Sequence, residues 1–462
     1  MNIDTFLYGF IVPILSYILE ERLHIDPSYM QPLISAILAV HGIVAIVTSP
    51  IVGHFADQSP SRKTPLLLSL AGCLGGTVLV ACAPSLWVLF LGRVLQGMSG
   101  SAVWIVAFAT VADTVGEEHM GKTIGLVNAF AMGGVIAGPM ASGLLLQTVG
   151  YWGTWTAPFV VLIVDIIARL VMIENPNRTK PLSSGSASSA SSTATSPDEG
   201  GQENRALLAD APDATTYQSL SNVAEASGQA DNQGDLSTSS AFYRTILTNK
   251  RVVTALLTMI AYGTVLASFE ATLPLHVRDV FNWDSSTTGM MFFCLEIPSV
   301  FVGPLSGWLR DRVGIRIPAT LSLVALAPLM WLLGVPGDGH FPWASADASG
   351  PAIYTACMLA IGSVAPFLTG GGVLELTCEY FPPPLSFFYF SKCTADSSTA
   401  VVKEYQDQNP NIFGPHGGYS RAYSVTDVAA ALSMTAGPIV SGLLRQTIGY
   451  YYMNLIFGTH LP

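Results

Sequence analysis

Two stretches of this 462-residue chain nearly repeat one another. Residues Ala137–Tyr151 read AGPMASGLLLQTVGY and Ala436–Tyr450 read AGPIVSGLLRQTIGY, differing only where Met140, Ala141, Leu146 and Val149 become Ile439, Val440, Arg445 and Ile448. A second pair of motifs precedes the copies: Gly53-His-Phe-Ala-Asp57 upstream of the first, Gly307-Trp-Leu-Arg-Asp311-Arg312 upstream of the second. The order is the same each time, so a fold adopted by the first half is imposed on the second. Between the motifs lie apolar runs of about 20 residues, the length a helix needs to cross the roughly 30 Å core of a bilayer. The repeat therefore predicts an all-α membrane protein built as one helical bundle written twice.

Composition agrees. Half of the residues are hydrophobic and 11% are charged, against about 25% charged in an ordinary soluble domain. Eleven spans are expected, near 3–20, 31–55, 65–83, 86–112, 122–147, 155–173, 252–276, 287–309, 317–335, 351–376 and 420–445, followed by a stub at 449–462. The six cysteines (73, 82, 294, 357, 378 and 393) lack metal-ligand spacing and read as small packing residues. The net charge of −11 gives no footprint for nucleic acid. Met1 is followed at once by an apolar run containing Asp4, so no removable signal peptide is expected. Nucleophile–base pairs, phosphate-binding loops and metal clusters are not recognisable, which argues against an enzyme.

The domain plan has an N-terminal bundle over 1–174, a linker over 175–245 and a C-terminal bundle over 246–462. The linker is rich in Ser, Ala, Thr, Asp and Gly; it cannot bury enough apolar surface to offset its ordering entropy, and disorder is expected. Lys and Arg set the orientation. Arg62, Lys63, Lys122, Arg178, Lys180, Lys250, Arg251, Arg310, Arg312 and Arg316 fall on one side, with Lys392, Lys403 and Arg421 later. Arg22, Arg278 and Arg445 fall on the other. The linker and both termini are thus expected in the cytoplasm. Spacing is uneven: 85 residues separate Gly53 from Gly138, but 130 separate Gly307 from Gly437. The excess lies around 336–350 and in an irregular insertion near 381–419, where non-native sequence is expected near 382–398. The short first and last spans carry the companion expectation of a chain clipped at both ends, its final helix truncated.

The Gly-x-x-x-Asp motifs, followed by Arg62 and Arg312, sit where one helix ends and a tight loop begins. Gly permits close helix approach, and Asp can cap a neighbouring helix or pair with Arg. Arg93-Val-Leu-Gln96-Gly97 opens the fourth span, where an arginine is costly unless paired or functional. Gly125, Gly134, Gly138-Pro139 and Gly143 lie along the fifth, and Gly437-Pro438 echoes the central pair in the second half. Together these resemble the signatures of the major facilitator superfamily. The first loop departs from its pattern at Pro60 and Ser61, and Ser142 replaces one glycine of the fifth-span motif. The resemblance implies two pseudo-symmetric six-helix halves rocking around a midplane cavity. It also links Arg93 to proton coupling and the fifth-span motif to antiport.

Within that superfamily, Asp4-Thr-Phe-Leu-Tyr8, Phe269-Glu270-Ala-Thr-Leu-Pro274 and Ala422-Tyr423-Ser-Val-Thr-Asp427 look like the vesicular amine transporters and the fungal twelve-span drug:proton antiporters. The resemblance places Asp4, Glu270 and Asp427 at a central cavity that serves cations or protons, and sets His41 where a partner for Asp4 is expected. An acid typical of span 10 is missing; Ala365 lies near that place, with Glu375 and Glu379 further along. Glu296, beside Pro298, is a further candidate. Residue chemistry supports the same list. Ionised carboxylates in apolar spans are expensive unless paired or lining a cavity, and one that trades a proton for a cation performs the minimum chemistry of exchange. The expected function is proton-coupled antiport of organic cations, amines or drugs, with Tyr8, Arg93 and Tyr423 contributing to the site. No cofactor is expected beyond the proton gradient, and the partners are the substrate, protons and lipid around a monomer. The membrane is the plasma membrane or a vacuolar or vesicular one. The alternatives are a symporter or uniporter of a neutral solute, or a non-transporting truncated paralogue.

Overall fold

The computed structural model describes residues 2–59, 61–114, 117–171, 243–244, 246–248, 250–313, 316–345, 349–368 and 419–460. Every regular element among them is a helix. The first half supplies α1 (Asn2–Tyr17), α2 (Met30–Gln58), α3 (Lys63–Ala81) and α4 (Leu86–Thr114). Its last stretch, Glu117–Val171, turns at Gly150 and forms α5 (117–149) and α6 (151–171). The second half supplies α7 (Lys250–Phe281), α8 (Ser285–Val313), α9 (Arg316–Gly334) and α10 (Gly350–Leu368). It closes with Tyr419–His460, which turns at Gly449 into α11 (419–448) and α12 (450–460). The expected stub is α12. Eight helical stretches among the described residues are long and apolar enough to cross a membrane, two of them containing these turns. The expected linker, apart from Tyr243 and Arg244, and the insertion near 381–419, apart from Tyr419, lie outside the described residues, as do Glu375 and Glu379.

The chain is apolar on both sides of its helices. On α2, Ile43, Val47, Ile51 and Phe55 recur every fourth residue and are exposed. The row His41, Ala45, Ser49, Gly53 and Asp57 is buried. An outward row that apolar has no place in water but matches lipid tails, which are as apolar as the protein core. The small and polar row faces protein.

The glycines and the closing tyrosine of the repeated segment take matching places in the two copies. A β-carbon at Gly138 would lie 2.6 Å from the Phe6 carbonyl oxygen, and one at Gly437 would lie 2.8 Å from that of Thr264. These glycines bring α5 against α1 and α11 against α7. Five residues later, Gly143 abuts Ser285 at the start of α8, while Gly442 abuts Ser35 on α2. These contacts join one half to the other. Gly150 (φ 72°, ψ 179°) and Gly449 (φ 86°, ψ 167°) adopt a conformation that only glycine tolerates, and each turns the chain into its next helix. The tyrosine that follows packs back on its own half: Tyr151 stacks with Tyr17 of α1 at 6.0 Å between centroids, and Tyr450 with His276 of α7 at 3.5 Å. Fifteen residues therefore encode two helix packings, a junction between halves and a turn.

Candidate functional site

A cavity of about 320 Å³ lies between the halves, lined by α1, α2, α4, α5, α7, α8 and α11. Asp4, Tyr8, His41, Glu270, Glu296 and Asp427 all line it, with Trp104, Phe292, Met132 and Met434 among the apolar walls. Among the described residues, no Lys or Arg lines it. Helix geometry gathers this set. Asp4 and Tyr8 are one turn apart on α1, and His41 begins the buried row of α2. Gly100 on α4 leaves the notch that holds the Asp4 carboxyl, since a β-carbon there would lie 2.5 Å from Oδ1. Gly97 brings α4 against the backbone of His41, whose carbonyl oxygen would be 2.6 Å from a β-carbon. Pro139 and Met140 pack against Gly289 of α8, closing the wall opposite α2.

Two carboxyls of the cavity are bonded across the halves. Tyr8 donates its hydroxyl to Glu270 Oε2 at 2.8 Å. Ser49 Oγ lies 2.6 Å from Asp427 Oδ2, and Ser101 of α4 is a second hydroxyl partner of Asp427. His41 faces Tyr8, ring centroids 5.1 Å apart, and no ion pair joins it to Asp4; its Nδ1 is buried without a partner among the described residues. Arg93 is 1% exposed and stands behind the cavity wall. Its guanidinium is 5.5 Å from the Tyr8 ring centroid, within cation–π range. Its Nη1 donates to Gln96 Oε1 at 3.0 Å and its Nε to the Ile37 carbonyl at 3.4 Å. Gln96 in turn donates to Thr77 Oγ1 at 3.2 Å. A cation, an aromatic ring and a carboxyl thus stand in line from α4 through α1 to α7. Tyr423 lies off the cavity: it stacks on Phe108 at 5.1 Å, which stacks on the lining Trp104 at 5.2 Å. The tyrosine reaches the site through an aromatic ladder and not directly.

Polar ties join the halves at both ends of the bundle. At one end, Asp57 accepts from the backbone N–H groups of Ser420 (3.2 Å) and Arg421 (3.3 Å), capping α11 with a carboxylate. Arg62 and Arg421 flank it at 3.8 and 3.7 Å, and Arg62 also donates to Ser420 Oγ at 2.9 Å. Gly53 lets α2 reach that point, since a β-carbon there would lie 2.8 Å from Ser424 Cβ. The second-half counterparts Gly307 and Asp311 fall on α8, and exposed Arg312 rests on the Trp308 ring at 4.3 Å. At the other end, Arg278 pairs with Glu20, Gln147 donates to Asp284, and Arg445 donates to Gln31 Oε1 at 2.5 Å and to Asp279 Oδ2 at 3.0 Å. Hydrogen bonds from Thr287, then Ser286 and Gln147, hold the Asp284 carboxyl below the usual carboxylate range, so this tie is anionic at neutral pH.

Sequence reasoning missed Ser49, Ser101, Gly100, Trp104 and the ties at the Arg445 end. Ser49 had a signal: it falls in the buried row, one residue in every four, that runs through His41 to Asp57. Of the fifth-span motif, Gly134 is buried on α5 and Pro139 lines the cavity; Pro438 sits inside α11 beside Gly437.

A two-half bundle of membrane-length helices, tied at both ends around a carboxyl-lined cavity, is the architecture of a membrane transporter. The chain belongs to the Major Facilitator Superfamily, whose family model matches residues 2–389. It is 27% identical over 447 residues to the uncharacterized MFS-type transporter C18.02 of Schizosaccharomyces pombe, covering 97% of this chain and 88% of that protein. It is 26% identical to the MFS-type transporter ppzB of Metarhizium majus, over 98% of this chain and 94% of that one. A shorter match, 34% over 145 residues, is to the class G tetracycline resistance protein of Vibrio anguillarum, covering 31% of this chain and 36% of that protein. Among solved structures, the human organic anion transporter MFSD10 (TETRAN) has the same fold, with a TM-score of 0.58, 15% identity, and coverage of 100% of this chain and 95% of that one.

Proposed function

We propose that the protein is a secondary active transporter that exchanges protons for an organic cation, an amine or a drug of that charge, by alternating access. The observation that carries this reading is the cavity charge: Asp4, Glu270, Glu296 and Asp427 line one space, with no Lys or Arg among the described residues that line it. Removing four carboxylates from water costs several kcal/mol each unless protons or a cation neutralise them. A site that must always be neutralised, and can be neutralised either way, is suited to exchange. The apolar walls fit a hydrophobic cation better than a hydrated one. The match to a tetracycline resistance protein supports a drug-like substrate. The same charge argues against an organic anion, although the fold is shared with an organic anion transporter.

In this reading the halves over 1–174 and 246–462 rock as a monomer. The end bearing Asp57 faces the cytoplasm, with the termini and the 175–245 linker, in the plasma membrane or a vacuolar or vesicular membrane. The proton gradient is the only coupling agent. The test is uptake of a fluorescent lipophilic cation into proteoliposomes holding the full chain and an imposed pH gradient. Uptake should follow the gradient and stop when a protonophore collapses it. Uptake that continues undiminished overturns the coupling, and a preference for neutral solutes favours a symporter or uniporter.

A further inference from the structure

We propose that Ser49 is a positioning residue that senses whether Asp427 carries a proton and converts that state into attachment of α2 to α11; this rests on the antiport reading above. Ser49 Oγ lies 2.5 Å from the Ala45 carbonyl oxygen and 2.6 Å from Asp427 Oδ2. A hydroxyl has one proton to donate, and a carbonyl has none. Oxygens this close need a hydrogen between them. Both contacts are satisfied together when Ser49 donates to Ala45 and Asp427 donates to Ser49. The row of three oxygens therefore takes two protons, and the second belongs to Asp427. When the Asp427 O–H bond breaks and its proton leaves to water on the open side, carboxylate and carbonyl compete for one hydroxyl proton. One contact must lengthen.

The surroundings make that loss consequential. A β-carbon at Gly42 would lie 2.7 Å from the Ala431 carbonyl oxygen, and one at Gly53 would lie 2.8 Å from Ser424 Cβ. The backbones of α2 and α11 thus touch on either side of Ser49, and the hydroxyl sits inside the junction between halves. The titratable and charged groups around Asp427 are Asp4 on α1, His41 on α2, Glu270 and Tyr262 on α7, Glu296 on α8 and Arg93 on α4 behind Tyr8. Ser101 of α4 adds a second hydroxyl. An ionised Asp427 in an empty cavity thus faces other carboxyls and, among the described residues, no lining Lys or Arg. A bound cation reverses that balance. Cation entry and loosening of the α2–α11 junction become one event.

The test uses the full chain in proteoliposomes, with tetraphenylphosphonium as the probe, and reads the pH of half-maximal exchange. Ser49→Ala should move that pH upward by about 1 unit, because the ionised carboxylate loses the hydroxyl that donates to it. Ser49→Thr should keep the wild-type value, and Ser49→Val, which matches Thr in volume, should follow Ala. In an Asp427→Asn background, Ser49→Ala should produce no shift, since the sensed group no longer titrates. A wild-type midpoint in Ser49→Ala and Ser49→Val overturns the inference, as does an equal shift in both backgrounds. Failure of every hydroxyl-free variant to fold, with Asp427→Asn folded, assigns Ser49 to packing and overturns it too. Wild-type exchange that ignores the pH gradient is a different result: it removes the antiport reading itself.

Discussion

Glu296 differs from the acids bonded across the halves. Glu270 is held by Tyr8 and Asp427 by Ser49, while Glu296 lines the cavity without a hydrogen bond among the described residues. A carboxylate not already held by a hydrogen bond is one that a substrate cation can take over whole. Glu296→Gln should raise KM for a cationic substrate at least tenfold, matching a lost charge-assisted bond of about 1.5–3 kcal/mol, with a smaller change in kcat. An unchanged KM places the cation elsewhere. The sequence made these acids legible because an ionisable group in an apolar run is expensive and needs a reason. It could not show Ser49 in the same way. A serine in a helix can satisfy itself on the carbonyl four residues back, as Thr77 does on Cys73 and Ser69 on Pro65. Such a residue carries no cost that a reader could notice. Tyr423 shows the opposite error, since its motif position could not reveal that Phe108 stands between it and the cavity.

Between helices, the turns at Gly150 and Gly449 allow a clean experiment. A β-carbon at either position meets nothing within 4 Å, so substitution tests the backbone alone. Gly150→Ala and Gly449→Ala should each destabilise the protein by about 1–3 kcal/mol through strain, read as a lower Tm in detergent. Similar losses of that size in both copies fit that account; no effect at either would mean that the turn relaxes freely. Gly138→Ala should behave differently, because its β-carbon would press on the Phe6 carbonyl and push α5 off α1. The helices themselves were readable from apolar runs of membrane length. The turns were not located to the residue, because hydropathy runs through Gly150 and Gly449 without interruption. Only the recurrence of Gly-Tyr in both copies hinted that these glycines have conformational work.

At the scale of the molecule, two bundles meet along α2–α11 and α5–α8 and are tied at both ends. The order of motifs announced this duplication before any contact was known. Contacts between halves were hidden, since residues such as Gln147 and Asp284, or Glu20 and Arg278, pair across more than a hundred positions. The ties at the Arg445 end predict a measurable effect. Arg445→Leu, which installs the residue of the first copy, should speed labelling of Ala45→Cys by a membrane-impermeant maleimide from that side about tenfold, in a background without native cysteines. An unchanged rate would mean that Arg445 does not restrain that end.

The single polar mismatch between the two copies, Leu146 against Arg445, carries a further consequence. A twofold object made of identical parts has no reason to part along one seam before the other. Here the α2–α11 seam must shed an arginine from Gln31, while the α5–α8 seam gives up the amide of Gln147 from Asp284. The two seams have unequal strength, and the molecule has a grain along which it splits.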